Sequence, residues 1–282
     1  MSRTRAFVLT TITMFAFAAN SVLCRLALAR DAIDPGSFTL VRIASGVAML
    51  WALVALTRRD HAVVGGSWRG AFALFVYAAA FSFAYISLPA GVGALLLFGA
   101  VQATMIITGL ARGERLVSLQ WLGLALALAG LAALVAPGVA APPAAGAALM
   151  LAAGIAWGAY SLLGRGASDA FAATAGNFLR ATPFAILLAA ATARGVHATA
   201  AGLVYAVLSG AIASGLGYTL WYAALRGLTA AQAASVQLSV PVITAIGGAL
   251  ALGETITARL GVSSVAVLGG VALVIVNRGA AD

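Results

Sequence analysis

The chain has 282 residues, 63% of them hydrophobic and 8% charged, with a mean hydropathy of +1.07. A soluble domain cannot cover that much apolar surface with so few charges, whereas an apolar run of roughly 20 residues crosses a bilayer. The formal charge of +9 comes from 16 Arg and no Lys, set singly or in pairs between apolar runs, with no basic face or interleaved aromatics to hold nucleic acid.

Apolar runs read against their breakers predict ten helices, near 6–26, 37–57, 69–88, 91–111, 118–136, 143–163, 171–193, 202–225, 229–252 and 258–277. Arg3, Arg5 and Ala16-Phe17-Ala18 give the first run a signal-peptide look, but its length and its counterpart in the second half mark it as an uncleaved span. Asp34-Pro35-Gly36, Leu88-Pro89-Ala90-Gly91 and the stretch from Pro137 to Pro143 are loops. With a cytoplasmic N-terminus, Arg3, Arg5, Arg58, Arg59, Arg69, Arg112, Arg115, Arg165, Arg226 and Arg278 lie inside. Only Arg25, Arg30, Arg194 and Arg259 lie outside, so both termini are expected in the cytoplasm of a bacterial-type inner membrane.

The chain repeats itself. Gly113-Glu114 aligns with Gly253-Glu254, Leu122-Gly123 with Leu260-Gly261, Tyr85 and Leu88 with Tyr222 and Leu225, Arg42 with Arg180, and Ser21 and Arg25 with Ser161 and Arg165. Five spans per half is an odd number, so the second half (139–282) is expected upside down relative to the first (1–138). Inverted repeats are typical of secondary transporters, whose sites lie between the halves near mid-membrane. The Gly-Glu pairs read as structural hinges. Gly113 and Gly253 end one helix, Ser118 and Thr257 N-cap the next, and Glu114 and Glu254 pair with nearby Arg at opposite membrane faces.

The late block Pro241, Gly253-Glu254, Leu260-Gly261 and Gly269-Gly270 resembles the drug/metabolite transporter superfamily in its EamA-type ten-helix form. The first-half copy, Gly113-Glu114, Leu122-Gly123 and Gly130, and the entry "FAANSVLCRLAL" followed by "DPGSFTLVR" carry the same resemblance. The first half departs from the pattern in having no counterpart of Pro241; Gln102 and Thr104 stand in that region. Within the superfamily the chain most resembles the YddG-type exporters of aromatic and other neutral amino acids. The resemblance implies an all-α membrane protein of ten helices in two inverted repeats around a central cavity.

Polar and aromatic residues at span depth are the candidates for that cavity, because a polar group there must find a partner without water. On helix three, Tyr77, Phe81 and Tyr85 share a face, and on helix eight Ser214, Tyr218 and Tyr222 do. Phe98 and Gln102 pair on helix four, Trp157 and Tyr160 on helix six; helix one offers Asn20, helix nine Gln237 and Ser239 before Pro241. Pro241 is expected to loosen helix nine and free a backbone carbonyl. Asn20, Gln102 and helix-end dipoles are expected to meet the polar groups of the substrate. Arg42 and Arg180 either bind a carboxylate, snorkel, or pair with Asp34 and Asp169; a structural role is favoured for both. Trp68 and Trp121 read as interfacial anchors.

No acid/base set assembles from the seven acidic residues, which lie in loops or near span ends. One Cys and two His, both His in loops, argue against a Cys/His metal site. The expectation is a monomeric carrier of small amphipathic metabolites, neutral amino acids included. It needs no cofactor, nucleic acid or obligatory protein partner, only a substrate and the bilayer. Other cargoes (a drug-like cation, a nucleotide sugar, a lipid) and a non-transporting scaffold are the rival readings.

Overall fold

The computed structural model describes residues 3–57, 65–113, 115–138, 140–164, 167, 169–225, 228 and 236–276. Glu114, Arg165 and Arg226, and the side chain of Tyr222, lie outside the described residues. The described chain is helical: α1 (Arg3–Ala29), α2 (Pro35–Thr57), α3 (Trp68–Ala84), α4 (Ala90–Ala111), α5 (Ser118–Val135), α6 (Ala144–Gly164) and α7 (Ala170–Ala191). Helix α8 runs through Ala200–Val207, a nine-residue π-helical segment Leu208–Leu216, and Gly217–Leu225. Helices α9 (Ser239–Leu252) and α10 (Ala258–Val276) complete the bundle.

Eight of these helices are long and apolar enough to span a bilayer, and α3 and α9 are shorter apolar helices. Large apolar side chains lie bare on the outside, among them Leu56 and Leu250 (each 83% exposed) and Val265 (75%). Lipid covers such a surface at no cost, while water would not. Trp68 and Trp121 are likewise exposed near helix starts, as interfacial anchors are.

Helix ends follow the predicted chemistry with two corrections. Asp34 accepts the Ser37 N–H at 2.9 Å and caps α2, with Pro35 at its first position. Gly113 (φ +91°) and Gly253 (φ +69°) take the left-handed conformation that ends α4 and α9, and Thr257 accepts the Leu260 N–H to open α10. Ser118, however, is the first residue of α5 rather than its cap. The Gln120 side chain does the capping, accepting the Val117 N–H at 3.0 Å. Helix α3 stops at Ala84, short of the predicted 88, and leaves Tyr85 as its C-cap.

Three pairs of helices five places apart, α2/α7, α4/α9 and α5/α10, lie side by side and run in opposite directions. The start of α5 meets the end of α10, where Gln120 donates to the Val274 carbonyl at 3.1 Å. The start of α10 meets the end of α5, where Arg259 donates to the Leu134 and Ala136 carbonyls. Gly36 at the start of α2 faces Thr192 after α7, and Gly65 after α2 faces Ala173 near the start of α7. The Ala90 N–H at the start of α4 is held by Glu254, just past the end of α9. Helix α1 packs on α8 and α9 as α6 packs on α3 and α4, and α2 packs on α7 and α8 as α7 packs on α2 and α3. Exchanging helices five places along reproduces these contacts, though among the described residues α4 also packs on α1, α5 and α10 where α9 does not pack likewise on α6, α10 and α5.

At one end the loop before α2 is lashed to the loop before α8. Ile33 and Ala198 form an antiparallel bridge, Thr199 donates to the Ala32 carbonyl, and His197 Nε2 lies 2.9 Å from Asp31 Oδ1. Burial alone would push the Asp34 carboxyl up, but the Ser37 hydroxyl and N–H and the His197 N–H hold it below its usual range. The Gly195 carbonyl, then Asp31, push the His197 imidazole up.

Candidate functional site

A small cavity opens where α1, α3, α4, α6 and α8 converge. Its walls are Phe17, Asn20 and Ser21 of α1, Tyr77 and Phe81 of α3, Leu97 and Phe98 of α4, Trp157 of α6, and Ala213 and Tyr218 of α8. Positions 17, 20 and 21, like 77 and 81, follow the helical i, i+3, i+4 spacing that aims side chains to one side. The space open to the centre of a water molecule is about 20 Å³, room for one or two waters. An organic molecule enters only if these helices part.

The aromatic walls form a continuous cluster. The Trp157 ring lies 4.8 Å from Tyr77, 5.1 Å from Tyr218 and 5.3 Å from Tyr160, and Tyr77 lies 5.4 Å from Phe81. Offset and edge-on contacts of this kind are favourable by about 0.5–1.5 kcal/mol each beyond area burial. They also present ring faces of both halves to the same space.

Behind the rings lies a chain of polar contacts. Ser209 Oγ donates to Asn20 Oδ1 at 2.6 Å, and Asn20 Nδ2 donates to the Tyr77 hydroxyl at 3.3 Å. That hydroxyl also accepts from Arg42 Nη2 at 2.9 Å. The Arg42 guanidinium stacks over the Tyr77 and Phe81 rings, 5.0 and 4.9 Å from their centres. Ser209 is in the π segment, next to Gly210, where a Cβ would stand only 2.0 Å from the Arg42 carbonyl oxygen. Glycine there lets α8 press its backbone against α2 at the level of Arg42, and π segments recur at such functional positions.

Of the residues expected from the sequence, Asn20, Tyr77, Phe81, Phe98, Trp157 and Tyr218 are brought together on the cavity wall. Tyr160 lies one ring behind, stacked on Trp157. Gln102 is buried on α4, one turn beyond Phe98 and off the wall. Ser239 is not in the cavity: it is exposed, and its hydroxyl turns back to the Val236 carbonyl at 2.6 Å. Pro241 is buried as the third residue of α9, and the helix is interrupted at Leu238, where a proline N–H is missing and its ring crowds the preceding turn. Of the alternatives for Arg42, pairing with Asp34 is not what the structure shows: the arginine meets Tyr77 and the aspartate caps α2. Arg180 donates to the Gly65 and Gly176 carbonyls, a structural clasp, and Asp169 caps α7. Phe17, Ser21, Leu97 and Ala213 complete the wall beyond the residues expected from the sequence, and the 17/20/21 spacing on α1 is the available signal for the first two.

Glu254 joins several helices. Oε1 pairs with Arg25 Nε at 2.9 Å and Oε2 accepts the Ala90 N–H at 2.7 Å, where Pro89 has no side chain to cap α4. Arg25 also donates to the Tyr85 and Ile86 carbonyls past the end of α3. One carboxylate thus ties α1, α3, α4 and α9 together. Its counterpart Glu114 lies outside the described residues.

A helical bundle with bare apolar outer faces and an aromatic-lined central cavity defines the class of a multi-pass membrane protein. Residues 144–276 match the EamA-like transporter family. An uncharacterized protein of Pseudomonas aeruginosa, PA1977, is 58% identical over 274 residues, 97% of this chain and 96% of that one. A crystal structure of a protein 19% identical to this chain shares the fold alone, with a TM-score of 0.65 over 97% of this chain and 98% of that one. The chain belongs to the EamA-like transporter family, membrane transporters of the drug/metabolite superfamily.

Proposed function

We propose that this chain is a secondary transporter that exports small amphipathic metabolites, neutral amino acids including aromatic ones, by alternating access. The observation that carries the reading is the cavity itself. Ring faces from Tyr77, Phe81, Trp157 and Tyr218 surround a space that also holds Asn20 and Ser21, chemistry suited to a molecule with an apolar side chain and a polar head. The walls come from helices of both proposed repeats, 1–138 and 139–282, so rocking one against the other would open the space to each side in turn. The opposed directions of α2/α7, α4/α9 and α5/α10 support the inverted arrangement. The Arg distribution supports an inner membrane with both termini in the cytoplasm.

The test is exchange in liposomes. Purified protein is reconstituted with unlabelled neutral amino acids inside, and entry of labelled ones is followed with and without a pH gradient. Saturable exchange is expected, weakened by Asn20→Leu. Folded protein that exchanges no amino acid would overturn the reading.

A further inference from the structure

We propose that the Arg42 guanidinium is the recognition point for an anionic carboxylate on the transported molecule. The inference rests on the transport reading above and names the chemical class that the same site selects.

Arg42 is 98% buried, being 2% exposed, in the third turn of α2. No acidic side chain among the described residues pairs with it, and its Nη1 is buried with no hydrogen-bond partner. The surrounding groups make the imbalance worse. The Tyr77 hydroxyl already accepts two N–H donors, one from Arg42 and one from Asn20, so its lone pairs are taken, and the Tyr218 hydroxyl is its remaining partner. The Asn20 carbonyl oxygen is taken by Ser209. The ring faces of Tyr77 and Phe81 soften the charge but supply no acceptor.

A buried cation that lacks a counter-ion is destabilising, and proteins ordinarily pair such a charge or leave it in water. Here the surplus is of donors and of positive charge, immediately behind two residues of the cavity wall. A carboxylate is the complement: planar, singly negative, acceptor-only, and matched to the guanidinium fork. Aromatic rings beside it would take an apolar substituent. The cluster therefore selects for monoanionic or zwitterionic carboxylates and against organic cations, whose charge Arg42 repels.

The test compares an acid with its neutral amide on the purified full chain. Cys24, the one cysteine, is fully buried, so a thiol-reactive dye reports the melting midpoint. 3-Phenylpropionate and L-phenylalanine are expected to raise the midpoint by mass action, with binding on the order of 10- to 100-fold tighter than that of 3-phenylpropanamide. Arg42→Met should abolish the difference between acid and amide while leaving the unliganded midpoint unchanged or higher, since it removes an uncompensated charge. Tyr77→Phe, which keeps the ring, should shrink the difference. Equal shifts by acid and amide, no shift by either acid, or an acid preference surviving in Arg42→Met would each overturn the proposal. Exchange in liposomes of amides or amines but not acids would sink this inference and leave transport standing. Acid binding at Arg42 without exchange of any solute would do the reverse.

Discussion

Replacing Glu254 with Gln tests the clasp that joins α1, α3, α4 and α9. The carboxylate makes two short charge-assisted bonds, to Arg25 at 2.9 Å and to the Ala90 N–H at 2.7 Å. Each partner's side chain is 16% exposed. An exposed pair is worth about 0.2–1 kcal/mol and breaking a fully buried one costs about 3–5 kcal/mol, so this pair falls between. A Gln retains one carbonyl oxygen and can satisfy one of the two donors. The net loss is therefore about 2 kcal/mol, one charge-assisted bond. Arg25→Gln should cost more, because the Tyr85 and Ile86 carbonyls also lose their donor. Cys24, adjacent to Arg25 and fully buried, is the reporter: labelling by a maleimide requires the region to open. A loss of about 2 kcal/mol raises the open population by roughly 30-fold, and the labelling rate with it. In the double-mutant cycle the two substitutions should be less than additive by about 1–3 kcal/mol. Unchanged labelling in Glu254→Gln, or strict additivity with Arg25→Gln, would refute the clasp.

Gln102→Leu should leave amino acid exchange within about two-fold of wild type, because Gln102 lies off the cavity wall, whereas Trp157→Ala should reduce exchange at least tenfold by removing the ring that joins Tyr77 to Tyr218. Gly123→Val or Gly270→Val should destabilise by about 1–3 kcal/mol or more in dye melts, since a Cβ at either would stand about 2.5 Å from the other's carbonyl oxygen, while Gly261→Ala, with nothing near it, should be neutral or stabilising. The lash between the loops before α2 and α8 should respond to pH. Protonated His197, whose pKa is raised, contributes fully below about 6.5 and its contribution is lost as pH rises through the higher folded value. Ionised Asp34, whose pKa is lowered, contributes above the ordinary carboxylate range and is lost only as pH falls through its depressed value. Amide exchange around Ile33 and Thr199, corrected for intrinsic rates, should therefore be slower at mildly acidic than at alkaline pH, and His197→Gln should flatten the difference.

What the sequence made legible was whatever depends on local chemistry or period. Helix spans follow from unbroken apolar runs, and the caps at Gly253 and Thr257 follow from residues whose geometry suits few other places. The aromatic wall of the cavity was readable because Tyr77 and Phe81 share a helical face. Ser239 misled because polarity next to a proline suggests depth, yet the break at Leu238 turns that hydroxyl onto its own backbone. The Arg42 environment was invisible to spacing: whether a cation meets Asp34 or Tyr77 is decided by how α2 and α3 rotate against each other. Nothing in "LSGAIASGL" announces a π segment, because small residues tolerate either winding and packing against α2 decides between them.

The α5/α10 pairing has a consequence for how the protein is made. The seam is closed by backbone against backbone at Gly123 and Gly270, with Arg259 supplying the donors that the last carbonyls of α5 lack. Among the described helices, α10 is the last to leave the ribosome, and α5 emerges with five helices still to follow it. Through all of that synthesis the glycine-lined face of α5 is without its final cover. The nascent first half therefore waits in the bilayer unfinished, and its completion coincides with insertion of α10.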